Sequence, residues 1–240
     1  HIVEGLKDRF RCIALDYPGF GLSTASAGYG FTAREHARIV EGFVEQLGLS
    51  DITMMVQDWG GPIGLWAAGR NPELFNAFVI GNTWGWPNDD LAARIFSKVL
   101  GSRVIGGYLV ERVDVFTSVL LPSGIRRKEL SADERFMYRR PHPTSESRIP
   151  LHVMPRELVA AGEFLAEVEQ GLTQIADRPA LLVWGDRDQV FRTPQRLRWE
   201  QTFPRHRTQI LRGAAHFIQE DAPNEIVAAI RDWWPGHLPR

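Results

Sequence analysis

Residues 54–64 decide the fold, and they read Met54-Met55-Val56-Gln57-Asp58-Trp59-Gly60-Gly61-Pro62-Ile63-Gly64. The apolar residues at the start are typical of a buried strand, and the two glycines mark a sharp turn. The proline stands where the first turn of a helix tolerates it, because a first-turn N–H has no partner within the helix. The stretch therefore predicts a strand over 52–56, a tight corner with Asp58 at its apex, and a helix over 62–70.

The residue at the apex of this corner indicates covalent chemistry. Strand–turn–helix corners of this kind carry the nucleophile of α/β-hydrolases, most often a serine in Gly-x-Ser-x-Gly. Here the apex is Asp58, and Trp59 follows it. A carboxylate can attack carbon and form an ester, whereas an indole N–H donates one hydrogen bond and accepts none. The pair predicts displacement of a leaving anion; the alternative is that Asp58 merely caps the following helix.

Strand and helix patterns alternate on both sides of this corner. Such alternation indicates a mostly parallel sheet with helices on both faces. From 86 to 172 the pattern is helical instead, and we interpret this stretch as a cap inserted into a core formed by 1–85 and 173–240. The predicted strands are 11–16, 52–56, 75–81, 180–184 and 208–211, and the predicted helices outside the cap are 33–47, 62–70 and 225–234.

Two further polar residues follow predicted strands. Asp188 ends Trp184-Gly185-Asp186-Arg187-Asp188, and His216 lies in Gly213-Ala214-Ala215-His216-Phe217. Loops at the carboxyl ends of parallel strands gather at one edge of a sheet, and the order nucleophile, acid, histidine is that of α/β-hydrolase triads. An aspartate nucleophile needs no base, so His216 would activate water while Asp188 holds its tautomer. Asp186 competes with Asp188 for that role.

Three more residues are candidates for the walls of the site. Asn82, at the end of the third predicted strand, either orients a water or ends the strand. Trp84 and Trp86 either line a pocket under the cap or pack in the core. The sequence has no His-Glu-x-x-His, no cysteine pair and no phosphate loop.

Composition limits the class of protein. The chain has 240 residues and 44% hydrophobic content, enough for one sizeable core. Its 28 basic and 29 acidic residues give a net charge of -1, which offers no argument for a nucleic-acid or membrane partner, and no apolar run approaches the ~20 residues of a membrane span. The single cysteine, Cys12, excludes an internal disulfide and favours a reducing, cytoplasmic compartment; we expect it in a buried strand. Composition does not decide between monomer and homo-oligomer.

Four motifs resemble the haloalkane dehalogenase family of α/β-hydrolases, and the resemblance runs along nearly the whole chain. They are Asp-Tyr-Pro-Gly-Phe-Gly-Leu-Ser at 16–23, Val-Gln-Asp-Trp-Gly-Gly-Pro-Ile-Gly at 56–64, Trp-Gly-Asp-Arg-Asp at 184–188 and Ala-His-Phe-Ile-Gln-Glu-Asp at 215–221. Ile-Gly-Asn-Thr-Trp at 80–84 resembles the branch whose catalytic acid follows the later strand, as Asp188 does. Another branch carries a glutamate where this chain has Asn82.

The resemblance implies hydrolytic dehalogenation in two steps. Asp58 would displace halide from an sp3 carbon while the Trp59 side chain steadies the leaving halide. His216 would then deprotonate a water that attacks the ester, with the Trp59 backbone N–H at the oxyanion. The partners implied are a small halogenated hydrocarbon and water, and the products are an alcohol, halide and a proton. The resemblance implies neither a metal nor an organic cofactor, and the motifs absent from the sequence are consistent with that.

Two alternative functions stay open. Epoxide hydrolases share Asp-Trp-Gly-Gly, but they usually have histidine where this chain has Gln57, and they use cap tyrosines, for which Tyr108 and Tyr138 are the candidates. A catalytically silent, ligand-binding α/β-hydrolase is the alternative from another class.

The resemblance also implies strands and a His-Gly-Asn-Pro-like loop upstream of His1. One such strand normally lies between the strands that end at Asp16 and Val56, and the loop supplies a second halide ligand. Residues 1–7 read as the end of the helix that follows this loop. We therefore expect the sheet of this stretch to lack its N-terminal strands, and the stretch expressed alone to be weak or insoluble.

Overall fold

The protein folds around a four-stranded parallel sheet in a computed structural model that describes residues 1–87 and 90–234. The strands pair in chain order and are β1 (Ile52–Asp58), β2 (Phe75–Thr83), β3 (Ala180–Gly185) and β4 (His206–Leu211). Strands β2 and β3 are buried along almost their whole length, as expected when both faces of a parallel sheet are covered. The α/β prediction is confirmed.

Helices surround this sheet at nearly all the predicted places. A capping box forms at the start of the helix over 33–46, where the Thr32 hydroxyl accepts from the Glu35 N–H. The helix over Thr193–Thr202 was not predicted, because Trp199 is its only buried residue and a single buried residue gives no periodic pattern. The helices are α1 (Ile2–Leu6), α2 (Ala33–Gln46), α3 (Gly60–Arg70), α4 (Leu91–Leu100), α5 (Leu121–Ser123), α6 (Ala132–Arg139), α7 (Ile149–Ala160), α8 (Gly162–Leu172), α9 (Thr193–Thr202), α10 (Ile218–Asp221) and α11 (Pro223–Trp233).

The alternating side chains of β2 divide the core into two layers. Phe78 and Ile80 pack into one cluster with helices α2, α3 and α8. Ala77 and Val79 face the other side, where they join residues of α1 and α11. Because successive strand residues point to opposite faces, each strand anchors helices on both sides. The prediction of helices on both faces is confirmed.

The predicted strand at 11–16 is wrong. Within the described part of the chain, these residues make no ladder hydrogen bonds with any strand, and β1 is an edge strand of the sheet. An apolar pattern becomes a strand only if a neighbouring strand accepts and donates its backbone hydrogen bonds. Cys12 is accordingly half-buried, with its thiol near the carbonyls of Val3 and Phe10, and not within a strand.

The segment predicted as a cap contains α4 to α8, and α8 also contributes to the main core. The buried face of α8, which includes Phe164 and Leu165, packs with α3. Its Glu167 binds Arg34 of α2 through two hydrogen bonds of 2.7 and 2.8 Å. The domain bounds 1–85, 86–172 and 173–240 stay a prediction, and within them 88–89 and 235–240 lie outside the described residues. In the described ranges, no helix has the length and apolar character needed to cross a membrane.

Candidate active site

Asp58 occupies a strained corner between β1 and α3. Its φ of +48° lies in the left-handed region, which residues other than glycine seldom adopt. Helix α3 begins at Gly60, its N-cap residue is Trp59, and no side chain caps it. The capping interpretation of Asp58 is therefore wrong. The Thr83 hydroxyl holds the corner by donating to the Asp58 carbonyl at 2.5 Å.

Only one of the two glycines after this corner is required for close packing. A Cβ on Gly61 would lie 1.9 Å from the Thr83 hydroxyl oxygen. A Cβ on Gly60 would have no neighbour nearer than the Tyr17 hydroxyl, at 4.0 Å. Gly61 therefore lets α3 approach the end of β2, which keeps Asp58 at the carboxyl edge of the sheet.

Asp58, His216 and Asp188 come together at this edge. His216 Nδ1 lies 3.0 Å from Asp188 Oδ2, and its Nε2 lies 3.7 Å from Asp58 Oδ1. An ionised carboxylate only accepts hydrogen bonds, so Asp188 fixes the ring proton on Nδ1 and leaves the Nε2 lone pair toward Asp58. The side chain of Asp188 is fully buried and also accepts from the Val190 N–H at 2.7 Å.

The competing carboxylate, Asp186, serves a neighbouring turn. Its Oδ1 accepts from the Gly213 N–H at 2.6 Å, and its Oδ2 lies 3.7 Å from the Arg212 guanidinium. Asp188, not Asp186, therefore contacts the imidazole.

Asn82 supports the acid and does not line an open pocket. Its Nδ2 donates to Asp188 Oδ2 at 2.9 Å and to the Gly185 carbonyl at 3.2 Å, while its Oδ1 accepts from the Gly185 N–H at 2.8 Å. The residue is fully buried. Since both amide atoms are engaged, Asn82 fixes the orientation of Asp188.

The loop that carries His216 is anchored by two residues to which the sequence analysis gave no role in the site. Asp221 accepts from the Ala215 N–H at 2.7 Å and from the Arg127 N–H at 2.7 Å. Gln57 donates to the His216 carbonyl at 3.0 Å. A signal for Asp221 was its position five residues after the histidine in the motif at 215–221. Gln57 was noted only because epoxide hydrolases usually have histidine at its place before Asp58.

The pKa values of Asp58 and His216 are both raised, for different reasons. Partial dehydration raises the pKa of Asp58, whose side chain is 37% exposed yet lies deep among protein atoms; His216 and the Trp59 N–H counteract this rise. Burial by itself lowers the pKa of His216. The hydrogen bond that His216 donates to Asp188 and the charges of Asp58 and Asp188 outweigh that effect, so the pKa of His216 is raised overall.

The three tryptophans near the corner have different surroundings. Trp59 contacts Trp84 edge to face, with ring centroids 4.7 Å apart, and Trp84 stacks on Phe191 at 5.2 Å. Within residues 1–87 and 90–234 the Trp59 indole N–H has no protein partner, so it is available to a ligand. Trp86 instead packs on Trp199, with ring centroids 4.9 Å apart.

Neither candidate tyrosine of the cap is placed as an acid at Asp58. The Tyr138 hydroxyl donates to Glu220 at 2.6 Å, and burial together with this contact raises the pKa of Tyr138. Tyr108 is 64% exposed. As for metals, no three His, Cys, Asp or Glu side chains are grouped as ligands in the part of the chain that the structure describes.

Comparisons with known proteins agree with this geometry. A family model described as the alpha/beta hydrolase fold matches residues 1–102. Haloalkane dehalogenase 2 of Mycobacterium tuberculosis is 41% identical over 231 residues, which span 95% of this chain and 80% of that protein. The cis-3-alkyl-4-alkyloxetan-2-one decarboxylase of Shewanella oneidensis is 28% identical over 96% of this chain and 76% of that protein.

A solved structure extends the likeness to three dimensions. The crystal structure of a putative ancestral haloalkane dehalogenase superposes with a TM-score of 0.87 and 26% identity, over 97% of this chain and 84% of that one. The fold, the corner that carries Asp58 and the 41% identity along nearly the whole chain lead to the same assignment. The chain belongs to the haloalkane dehalogenase family of α/β-hydrolases.

Proposed function

We propose that this protein hydrolyses carbon–halogen bonds of small halogenated hydrocarbons through an alkyl ester on Asp58. The observation that carries the proposal is a carboxylate at the apex of a strained corner, 3.7 Å from an imidazole whose other nitrogen binds a buried acid. A serine in this place would need the histidine for its own activation, whereas an ionised aspartate attacks directly. The histidine is then free for a second step.

In the first half-reaction, one carboxylate oxygen of Asp58 forms a bond to the carbon as the carbon–halogen bond breaks. The electron pair of that bond leaves with the halide. The Trp59 indole N–H stabilises the anion, because it can only donate a hydrogen bond. No proton moves in this step, so it needs neither His216 nor Asp188.

In the second half-reaction, His216 Nε2 takes a proton from water as the water oxygen attacks the ester carbonyl of Asp58. The Trp59 backbone N–H, which already interacts with the Asp58 carboxylate, stabilises the oxyanion. Collapse of this intermediate breaks the carbonyl–alkoxy bond, and the imidazolium returns its proton to the alkoxy oxygen, which leaves as the alcohol. The remaining proton of the former water is released as Asp58 becomes a carboxylate again. Halide, alcohol and one proton are the net products of one halogenated substrate and one water.

Halide release by the full-length protein tests this function. With 1-bromobutane or 1,2-dibromoethane we expect bromide and alcohol in equal amounts, and no bromide from Asp58→Ala. His216→Phe should retain the alkyl group as an ester on the peptide that contains Asp58, which mass spectrometry detects. Absence of bromide with saturable binding of substrate would contradict the proposal and favour a silent, ligand-binding protein.

A second candidate function rests on the relatives named as oxetanone decarboxylases, which match 96% of this chain in Shewanella oneidensis and in Xanthomonas campestris. Loss of CO2 from such a four-membered lactone leaves an alkene and consumes no water. We expect the rate of bromide release from 1-bromobutane to exceed the rate of alkene formation from a cis-3,4-dialkyl oxetan-2-one. Faster alkene formation would favour the decarboxylase. Turnover of styrene oxide without bromide release would favour an epoxide hydrolase, for which the engaged Tyr138 and the exposed Tyr108 provide no suitable acid.

The cap belongs to the proposal as well. We propose that residues 86–172 form the wall of the substrate pocket opposite Asp58, with Trp84 at the pocket's base. Trp84 is the candidate because its ring contacts both Trp59 and Phe191.

A further inference from the structure

Gln57 contacts the catalytic histidine from the opposite side to the acid. It is the last residue of β1 before Asp58, and it reaches a loop 159 residues further along the chain. Its Nε2 donates to the His216 carbonyl at 3.0 Å and lies 3.4 Å from His216 Nε2. One amide group therefore touches both the backbone of the histidine and the nitrogen that must accept a proton.

The orientation of this amide is fixed by hydrogen-bond chemistry. A backbone carbonyl only accepts, so the Gln57 atom that faces the His216 carbonyl must be the NH2 nitrogen. A flip would place the amide oxygen against that carbonyl oxygen and lose the bond. The second hydrogen of the same NH2 group remains for His216 Nε2.

The Gln57 NH2 group interacts differently with the neutral and the protonated ring of His216. In the neutral ring Nδ1 carries the proton toward Asp188, and the bare Nε2 can accept from Gln57. Once Nε2 has taken a proton, a donor faces a donor. The charged groups around the ring act in the opposite sense, since Asp58 from β1 and Asp188 from the loop after β3 favour the imidazolium, while Asp221 binds the preceding backbone N–H of Ala215.

We propose that Gln57 is a positioning residue for the hydrolytic half-reaction: it holds the His216 backbone and disfavours protonation of Nε2 in the resting state. Nε2 has one lone pair, so the 3.4 Å contact from Gln57 gives way when water approaches as the proton donor. The inference rests on the proposed two-step function. Since alkylation of Asp58 moves no proton, it is independent of this contact. Gln57 thus acts on the breakdown of the ester and not on its formation.

Two substitutions separate this role from simple packing. Gln57→Met keeps the length of the side chain and removes the donor; Gln57→Glu replaces the donor by an acceptor that favours the imidazolium. In single-turnover experiments with 1,2-dibromoethane we expect the halide burst to change by less than about threefold in both variants, while ester hydrolysis slows. In the pH profile of the hydrolysis rate, the acid limb, where the rate falls as pH drops, should move to higher pH in the order wild type, Gln57→Met, Gln57→Glu. Gln174→Glu, at an exposed glutamine between α8 and β3, is the matched charge control and should leave the limb unchanged.

NMR titration of the His216 ring supplies a readout that needs no substrate. The midpoint should rise in the same order in the folded variants, whether or not the protein releases halide. An identical midpoint in all three proteins would overturn the proposal, and so would a parallel loss of burst and hydrolysis at an unchanged pH profile. Absence of a halide burst in the wild type, with the ordered midpoints retained, would instead refute the proposed function and leave the contact established.

Discussion

Replacement of Asp188 by asparagine should stop the reaction at the ester. The carboxylate accepts three hydrogen bonds, from Val190 N at 2.7 Å, Asn82 Nδ2 at 2.9 Å and His216 Nδ1 at 3.0 Å. An amide has one oxygen and one NH2 group, so it cannot accept all three. With the NH2 toward the imidazole, Nδ1 becomes an acceptor and Nε2 carries the proton, which removes the base.

The expected magnitude follows from this tautomer change. Inversion of the catalytic tautomer by an Asp→Asn change lowers turnover about 10⁴-fold in the serine protease triad, and at about 1.4 kcal/mol per decade this is about 5.5 kcal/mol of transition-state stabilisation. The first half-reaction should be unaffected because Asp58 needs no base. The unsatisfied donor should also cost about 1–3 kcal/mol of folding free energy, since a donor then faces the amide of Asn82.

Quench-flow measurement with 1,2-dibromoethane distinguishes the two half-reactions. Asp188→Asn should release about one bromide per enzyme in a fast burst and then nearly stop, with the alkyl ester detectable by mass spectrometry on the peptide that contains Asp58. Asp186→Asn, at the carboxylate that binds the neighbouring turn, is the matched control and should turn over normally. Steady turnover by Asp188→Asn within tenfold of the wild type, or loss of its burst, would refute the reasoning.

Three other perturbations test the corner, the base and the connection between α7 and α2. Gly61→Ala should lower the free energy of unfolding by about 1–3 kcal/mol in a denaturant titration, because its Cβ would meet the Thr83 hydroxyl; Gly60→Ala has open space and should not. The turnover number should fall as pH drops through the raised pKa of His216. In the ester, Asp58 has lost its negative charge, so the midpoint of this fall should lie at a lower pH than the NMR titration midpoint of His216 in the free enzyme. An equal or higher midpoint would contradict this. Burial raises the pKa of Glu157, which accepts a backbone N–H at the start of α2, so its charge opposes folding above that pKa. Glu157→Gln should therefore be more stable than the wild type at neutral pH, and the difference measured by thermal unfolding should shrink as the pH falls; a difference that is constant with pH would argue against the charge as its cause.

Local turn chemistry and sheet topology explain what the sequence predicted. The corner at Asp58 follows from an apolar run and glycines within a few positions, and the convergence of Asp58, Asp188 and His216 follows from their places after parallel strands. The same local patterns could not show which segments pair as neighbouring strands. Residues 11–16 have an apolar pattern like that of a strand, but the pattern carries no information on whether a neighbour is present.

The contacts that tune the triad link positions far apart in the chain. Asn82 and Asp188 are separated by 106 residues, and the sequence left open whether Asn82 orients a water. Trp84 and Trp86 are two residues apart and look equivalent in the sequence, yet one packs on Trp59 and the other on Trp199. Side-chain direction at the end of a strand depends on how the strand leaves the sheet, and that is a property of the folded backbone.

An irregularity at the ends of β1 and β2 explains how the corner and the acid are coupled. Gln57 pairs with Gly81, but Asp58 pairs with Thr83, so Asn82 is an extra residue without a partner in β1. Such a bulge re-aims a side chain, and the φ of Asn82 is +22°. Asn82 turns out of the ladder toward Asp188, and Thr83 moves into position to donate to the Asp58 carbonyl.

The same extra residue therefore serves both half-reactions. It places the Thr83 hydroxyl that supports the nucleophile's strained backbone, and it directs the Asn82 amide that orients the acid behind the base. A regular register would pair Asp58 with Asn82, which would remove both contacts at once. The bulge thus makes the geometry of ester formation and the geometry of ester hydrolysis depend on one feature of the sheet edge.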